Sequence, residues 1–201
     1  MLDALDIARY LVQIGYSDET PEESSLLSPL RLQKFLYYCQ GYSLALLDRP
    51  LFHEPIEAWV LGPVVRSVFS RFQGQKNGIT PEAIGGASAE LTPIQQELLR
   101  MVWREYSQYT PAELVQKTHS EPAWIEARRG LPDTAPCANV LSNDTMKTYF
   151  RDALRHAAKA SKFPMPDPVE VWMADANCEE ANDSGIPLRE AIRQAKARRS
   201  I

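Results

Sequence analysis

The sequence is poor in cysteine, in long apolar runs and in excess positive charge, and each shortage argues against a class of protein. Its three cysteines, Cys39, Cys137 and Cys178, are odd in number and far apart, so the spacing predicts neither a disulfide framework nor a CxxC metal site. No run approaches the roughly 20 apolar residues of a membrane span. The opening residues MLDALDIARY carry acids and lack the continuous apolar segment of a secretion signal. We therefore expect a cytoplasmic protein with reduced thiols.

The charge balance also limits the kinds of partner. The net charge is −4, so no global positive field would steer the chain to a nucleic-acid backbone, although a local basic patch remains compatible with this value. The 201 residues, 44% of them apolar, are enough for one domain with a real core and an appendage.

Apolar residues recur at helical spacing near the start of the chain, in the stretch LDIARYLV. This stripe predicts a first helix from Asp3 to Val12 or Ile14, with Gly15 as its end. Residues 16–27 are polar and acidic at first and are interpreted as a loop.

The strongest predicted helix begins at Ser28 and Pro29, where serine can cap the helix and proline suits its first position. Apolar residues line more than one face of this segment, which indicates a central helix contacted from several sides. Gly41 within it lowers helix propensity by about 1 kcal/mol relative to alanine. We therefore expect a close crossing with another helix at that position.

The stretch IEAWVLGPVVRSVF changes its period in the middle. Its first half alternates as a strand does, and its second half is apolar at helical spacing. We expect residues 51–52 to pair with residues 56–60 as a short hairpin, and the Gly62-Pro63 hinge to start a helix that runs to about Phe72. Two strands alone are marginal, so the hairpin should lie on helices.

Later helix starts are predicted from local capping sequences. The stretches TPIQ from Thr92 and TPAE from Thr110 are capping boxes, in which the threonine and the Gln or Glu bond each other's backbone amides. Further helices are predicted over residues 122–130 and 142–160. The glycine-rich residues 73–91 are interpreted as a loop.

Beyond Phe163 the composition changes. The stretch PMPDPVEVW begins with three prolines in five positions, so no helix continues through it, and acids dominate up to Gly185. The final IPLREAIRQAKARRSI reverses the sign of the charge. The whole pattern predicts a mainly α fold: a compact multi-helix domain, residues 1–161, with a small β-hairpin, and a C-terminal extension, residues 162–201, that is Pro-rich and acidic and ends in a short basic helix.

Two short motifs combine histidine with an acid, His53-Glu54 and His119-Ser120-Glu121. Metal sites need three or four convergent ligands, and the HExxH spacing is missing from the sequence. Nucleophile elbows and the phosphate-binding glycine motifs are missing too. We expect His53 to face solvent beside a turn and His119 to lie where two helices join, and we predict no catalytic residue, cofactor or metal.

The tryptophans and Cys39 are expected mainly in the core. Cys39 lies on the apolar stripe of the central helix, which predicts an inert buried thiol, and Trp103 and Trp124 occur at helical spacing. Trp59 differs, because it points to the face of the predicted hairpin opposite the apolar residues of the strand. An aromatic side chain that faces outward from a rigid hairpin is typical of a binding surface.

Several segments, taken in order, resemble one family. They are LDIARYLV, LSPLRLQKFLYYCQGYSLALLDRPLFHEPIEAWVLGPVV, VWREYSQYTPAELVQKTHSEPAWIEAR and NDTMKTYF. Over about residues 1–155 the chain is similar to the Panacea domain, also called the SocA-like or phage-associated GepA domain, of antitoxins in bacterial and phage toxin-antitoxin pairs. The combination of LQKFLYYCQG, EAWVLGPVV and THSEPAW in this order and spacing carries the resemblance.

The resemblance implies a mostly helical domain with a small β element that has no catalytic activity and neutralises a cognate protein toxin by direct binding. It also implies that different members restrain unrelated toxins, and that at least one relative delivers its toxin to an ATP-dependent protease. The family motifs fall on Leu32, Gln33, Lys34, Tyr37, Tyr38, Gln40 and Gly41 in the central helix, on Glu57, Ala58, Trp59, Gly62 and Pro63 in the hairpin and hinge, and on His119, Glu121, Pro122 and Trp124 in the late motif. As candidates for toxin binding we take Trp59, Glu57, Gly62, Pro63, His119, Glu121 and Trp124.

The leading hypothesis is an antitoxin that binds its toxin stoichiometrically, and three alternatives stay open. One is a proteolytic adaptor, for which residues 164–185 would be the protease contact. Another is a hydrolase or nuclease that uses the two motifs of histidine and acid. The last is a DNA-binding autoregulator with a helix-turn-helix between Thr92 and Arg129, where Arg128 and Arg129 are the only clustered bases.

Overall fold

The computed structural model describes residues 2–18, 26–75, 78–86 and 89–160. Within these ranges the chain forms eight helices and one two-stranded antiparallel sheet. In chain order the elements are α1 (Ala4–Asp18), α2 (Pro29–Leu47), β1 (Glu57–Trp59), β2 (Gly62–Val64), α3 (Arg66–Phe72), α4 (Pro81–Ile84), α5 (Pro93–Tyr106), α6 (Pro111–His119), α7 (Pro122–Arg128) and α8 (Asn143–Ala160). The predicted mainly α fold with a small β-hairpin is confirmed, and no helix in these ranges could cross a membrane. The predicted extension, residues 162–201, lies outside the described residues.

Helix α2 passes through the centre of the domain, as its wide apolar arc predicts. Ser28 caps its start, because the Oγ atom accepts a hydrogen bond from the amide of Arg31 at 3.3 Å. Helices α1, α3, α5, α6 and α8 and strand β2 all contact it. Cys39 is fully buried on α2, and burial raises the pKa of its thiol, as expected of an inert core residue. The other buried apolar side chains of α2 are Leu32, Phe35, Leu36, Tyr37, Tyr38, Leu44, Ala45 and Leu47.

The crossing of α2 and α8 depends on the missing side chain of Gly41. A Cβ atom at Gly41 would lie 2.1 Å from Cε2 of Phe150. The buried Phe150 ring also packs against Tyr37 and Tyr42, with centroids 5.7 and 4.9 Å apart. The close helix crossing expected at Gly41 is therefore confirmed.

The predicted end of the first helix at Gly15 is wrong, because α1 continues to Asp18. Gly15 is instead a contact point with α5. A Cβ atom there would lie 2.6 Å from Cη2 of Trp103. The glycine lets α1 and α5 approach each other, and residues 16–18, expected in a loop, are helical.

The hairpin does not have the predicted pairing, because β1 pairs with β2 and not with residues 51–52. Its register is Glu57 with Val64, Ala58 with Pro63 and Trp59 with Gly62. The backbone of residues 51–52 is held by a side chain of α2. The Oε1 atom of Gln40 accepts from both of their amides, at 2.8 and 3.3 Å, and Nε2 donates to the carbonyl of Phe52 at 3.1 Å.

Helix α3 begins at Arg66 and not at the predicted Pro63. The amide of Val65 donates to Oε1 of Gln33 on α2 at 2.7 Å, which keeps the chain extended up to this residue. Pro63 is a residue of β2 and lies opposite Ala58. Its nitrogen points away from β1, so the missing N–H group of proline removes no hydrogen bond from the sheet.

The predictions from local capping are confirmed. Both capping boxes, from Thr92 and from Thr110, have their two reciprocal hydrogen bonds. Helix α7 starts at Pro122, and Ser142 caps α8 by accepting a hydrogen bond from the amide of Thr145 at 3.2 Å. The prediction of a loop over residues 73–91 is confirmed only in part, because this stretch contains the one-turn helix α4.

Replacing Gly41 by alanine should destabilise the domain by about 1–3 kcal/mol, since the new methyl group would overlap the Phe150 ring in a close-packed core. The measurement is the free energy of unfolding in urea. A smaller opposing side chain should relieve the overlap, so Gly41→Ala combined with Phe150→Leu should destabilise less than the sum of the two single changes. Additive effects would contradict this contact.

Candidate functional site

Helix α2 carries a row of buried polar side chains that bind the backbone of neighbouring segments. Gln33 holds the connection from β2 to α3, Gln40 holds residues 51–52, and Lys34 donates to the carbonyl of Pro63 at 3.1 Å. Buried polar groups are stable only when they are hydrogen-bonded. Lys34 and Gln33 therefore position the hairpin and its exit on α2, and Gln40 positions the segment that precedes it.

Lys34 is fully buried beneath the hairpin. Burial lowers the pKa of its ammonium group to about 7. Gly62 covers it so closely that a Cβ atom would lie 2.7 Å from Nζ of Lys34 and 2.6 Å from Oγ1 of Thr118. Since the φ angle of Gly62 is also +95°, both the backbone conformation and the available space require glycine.

Glu121 is a buried carboxylate at the start of α7. Its two oxygens accept hydrogen bonds from the hydroxyls of Tyr37, at 2.5 Å, and Tyr38, at 3.1 Å. Burial raises the pKa of Glu121 to about 7 from an ordinary 4.5, although the two hydroxyl donors act in the opposite direction. The side chain ties the corner between α6 and α7 to the central helix.

The corner between α6 and α7 packs on the hairpin through two rings. The ring of His119 stacks on Trp124, with centroids 3.9 Å apart. Burial lowers the pKa of His119. The Nε1 atom of Trp124 donates to the carbonyl of Trp59 at 3.0 Å. His119 therefore lies at a junction of two helices, as expected.

Arg128 joins the hairpin to the loop that follows α7. Its guanidinium donates to the carbonyl of Ala58 at 3.1 Å and to the carbonyls of Pro132 and Ala135 in the loop. The side chain is 2% exposed. This burial removes Arg128 from the basic cluster on which the DNA-binding alternative depends.

The loop continues as a third extended segment beside β1. The amide of Ala58 donates to the carbonyl of Asn139 at 2.9 Å, and the amide of Leu141 donates to the carbonyl of Ile56 at 2.8 Å. These bonds place Val140 opposite Glu57 in an antiparallel bridge. Residues 139–141 thus border β1 on the side away from β2.

One surface of the hairpin is formed by Glu57, Trp59, Arg66, Phe69 and Val140, here called the Trp59 face. Glu57 accepts hydrogen bonds from Nε1 of Trp59 at 2.7 Å and from the guanidinium of Arg66 at 2.6 and 2.9 Å. The Trp59 ring meets Phe69 edge-on, with centroids 4.7 Å apart, and Arg66 lies over it at 5.3 Å. Val140 is 57% exposed. Trp59 lies on this outer side of the hairpin and is half-buried by its neighbours.

The structure brings the seven sequence candidates together around the hairpin, at different depths. Glu57, Gly62, Pro63, Glu121 and Trp124 are buried, whereas Trp59 and His119 are half-buried. Among the seven, Trp59 and His119 therefore offer the most surface to a partner.

The two motifs of histidine and acid lie in different parts of the fold. His53 is exposed, as expected, and Glu54 caps α1 by accepting from the amide of Ala4 at 2.9 and 3.1 Å. Asp3, His53 and Glu54 place potential ligand atoms within 4.8 Å of one another. Exposed acidic groups are common without a metal. Because Glu54 already accepts hydrogen bonds from the amide of Ala4, the capping of α1 explains its position in this cluster.

Sequence reasoning missed three parts of this arrangement. It did not connect Tyr37 and Tyr38 with Glu121, did not place Lys34 in the interior and did not predict the extended residues 139–141. The one available signal was a set of polar residues inside the wide apolar arc of α2. Because Glu121 lies 83 and 84 residues from its two tyrosine partners, no local pattern identifies the pair.

Comparison with known proteins finds one similar family. Residues 32–125 match the sequence model of the family described as Antitoxin SocA-like, Panacea domain. The matched segment runs from the first turn of α2 into α7 and contains the whole Trp59 face except Val140. No curated protein and no solved structure matches the chain significantly. The match confirms the resemblance expected from the sequence, and it supports an antitoxin role and a toxin as partner.

Glu121 should make stability depend on pH in a specific window. Its carboxyl ionises near pH 4.5 in the unfolded chain and near pH 7 in the folded protein. Between these values the folded state binds more protons, so stability falls as the pH rises. The free energy of unfolding should fall by about 2–3 kcal/mol between about pH 5 and pH 7, and this fall should be missing in Glu121→Gln. The measurement is unfolding in urea at each pH.

Glu105→Gln, a change at an exposed position of α5, is the matched control and should retain this fall. Lys34 acts above this window, because its pKa is 10.5 in the unfolded chain and about 7 in the folded protein. Between these values the unfolded chain binds more protons, so the titration of Lys34 makes the free energy of unfolding rise with pH. An equal fall in Glu121→Gln and the unaltered protein would contradict the assignment to Glu121.

Proposed function

We propose, from the match of residues 32–125 to the SocA-like antitoxin family, that this protein is an antitoxin that neutralises a cognate protein toxin by forming a stoichiometric complex with it. The family match is the single observation that carries the proposal. The antitoxin would cover the working surface of the toxin and would catalyse no reaction.

The positions of the titratable candidates support a binding protein. Acid–base catalysis needs a group that can reach the proton it transfers. Glu121 is buried against two tyrosine hydroxyls, Lys34 is fully buried against the carbonyl of Pro63, and Glu54 caps a helix. Each of these groups already stabilises the fold, and no reaction is needed to explain its presence.

We assign the toxin contact to the Trp59 face. Tryptophan and arginine are the residues most enriched among those that dominate binding energies, and Trp59 and Arg66 lie side by side here. The face is rigid, because Trp124 bonds the carbonyl of Trp59 and Lys34 bonds that of Pro63. A surface that is ordered before binding loses less conformational entropy when the complex forms.

The seven candidate residues then have two different roles. Trp59 contacts the toxin directly, and His119 lies beside the contact at the half-buried corner of α6 and α7. Glu57 belongs to the Trp59 face and accepts hydrogen bonds from the side chains of Trp59 and Arg66. Gly62, Pro63 and Trp124 hold the hairpin in place from within, and Glu121 ties the corner of α6 and α7 to α2.

Replacing Trp59 by alanine should weaken toxin binding at least tenfold, because central aromatic residues typically contribute about 2 kcal/mol or more to an interface. The measurement is titration calorimetry with purified toxin. Tyr16→Ala is the matched control, since Tyr16 is an exposed aromatic residue on α1, and it should leave the affinity unchanged. If folded Trp59→Ala protein bound as tightly as the unaltered protein, the contact would lie elsewhere.

Co-expression with the product of the neighbouring gene tests the function itself. We expect cells to tolerate a toxic neighbour only when this protein is present, and the two proteins to copurify in a fixed ratio. Rescue of growth without a detectable complex would contradict direct binding. The half-life of the toxin distinguishes this function from that of a proteolytic adaptor. A stoichiometric antitoxin should leave the half-life unchanged, whereas an adaptor that also binds an ATP-dependent protease should shorten it.

A further inference from the structure

The start of the chain is held against the segment that leads into the hairpin. Leu2 forms a parallel bridge with Phe52, which is fully buried. Glu54 accepts hydrogen bonds from the amide of Ala4 at 2.9 and 3.1 Å. Asp3 lies between Leu2 and Ala4, so contacts on both sides of it fix its place beside this segment.

Three oxygen atoms face one ring nitrogen of His53. The Nδ1 atom lies 3.4 Å from Oδ1 of Asp3 and 3.8 Å from Oε2 of Glu54. The carbonyl oxygen of Leu2 lies 3.4 Å from the same nitrogen. A hydrogen bond between nitrogen and oxygen is about 2.9 Å long, so none of these contacts has the length of a good hydrogen bond.

These distances are those between ligands of one ion. Zinc binds imidazole nitrogen and carboxylate oxygen at about 2.0–2.2 Å, which in a tetrahedral site places neighbouring ligand atoms about 3.4 Å apart. The nitrogen of His53 and one oxygen of each carboxylate lie within 4.8 Å of one another. We propose that Asp3, His53 and Glu54 bind one zinc ion, with water as the fourth ligand.

The set of donor atoms favours zinc over magnesium and calcium. Magnesium and calcium prefer sites made of oxygen atoms alone, whereas imidazole is a common ligand of zinc. The carboxylates of Asp3 and Glu54 balance the charge of a divalent ion. The N-terminus of α1 carries only about half a positive charge, which these two negative charges exceed. His53 would bind through Nδ1 and keep its ring proton on Nε2.

The cap of α1 and the ion can use Glu54 at the same time. Each carboxylate oxygen has more than one lone pair. Carboxylates that bind metals are commonly oriented by a hydrogen bond from an outer group, and the amide of Ala4 is in that position here. The cap explains the position of Glu54, and the ion would explain why His53 and Asp3 converge on it.

The proposed site joins parts of the chain that lie far apart in the sequence. Asp3 precedes α1, whereas His53 and Glu54 precede β1. No local spacing motif connects them, which is why sequence reasoning predicted no metal. A bound ion would connect the start of α1 to the segment before the hairpin, a role separate from the binding of a toxin.

Calorimetric titration of the metal-free full chain with zinc chloride tests the site. We expect one ion per chain at this site, and binding at least tenfold weaker in His53→Ala and in Asp3→Asn. Both side chains are more than half exposed, so both variants should fold. The matched control is His156→Ala, which removes an exposed histidine of α8 and should leave the affinity unchanged.

Unfolding in urea gives a second measurement. A ligand that binds the folded state stabilises it, so zinc should raise the urea concentration at the midpoint of unfolding in the unaltered protein more than in His53→Ala. Equal zinc affinity in these two proteins would overturn the proposal, as would a zinc affinity weaker than the order of millimolar. Magnesium that binds as tightly as zinc would overturn the assignment of the metal.

Discussion

The hairpin is held in place by polar side chains buried in α2. Each of its strands has three residues, and a sheet of this size is not stable alone. Gln33 and Lys34 provide hydrogen bonds to the backbone of Val65 and Pro63, and Gln40 holds residues 51–52 in the segment that leads to β1. Removing one of these side chains would leave a buried backbone group without a partner. The fold of the small sheet and the surface that it presents therefore depend on the same few contacts.

Glu121 and Lys34, two buried titratable groups of this scaffold, make stability depend on pH in opposite directions. Burial raises the pKa of Glu121 and lowers that of Lys34, and both reach about 7. Apolar residues would avoid the desolvation, but they could not bond the tyrosine hydroxyls or the carbonyl of Pro63. In this protein the buried polar groups thus give the hairpin and the corner of α6 and α7 a defined position.

Most residues that carry the family resemblance lie inside the domain. Tyr37, Tyr38, Lys34, Gly62 and Glu121 are all buried. The Trp59 face, in contrast, includes three residues that the motifs do not contain: Arg66, Phe69 and Val140. The motifs thus describe a scaffold more than a contact surface.

The sequence by itself determined the features that depend on near neighbours in the chain: the caps at Ser28, Thr92, Thr110 and Ser142, the central position of α2, and the close approach at Gly41. It also brought together the residues around the hairpin as one candidate site. Only the tertiary structure decided the pairing of β1 with β2, the contact of Gly15 with Trp103, and which candidates are buried. The reason is physical: a cap is satisfied within one turn, whereas the partners of Gln33, Glu121 and Arg128 lie far along the chain and meet them only when the helices have packed.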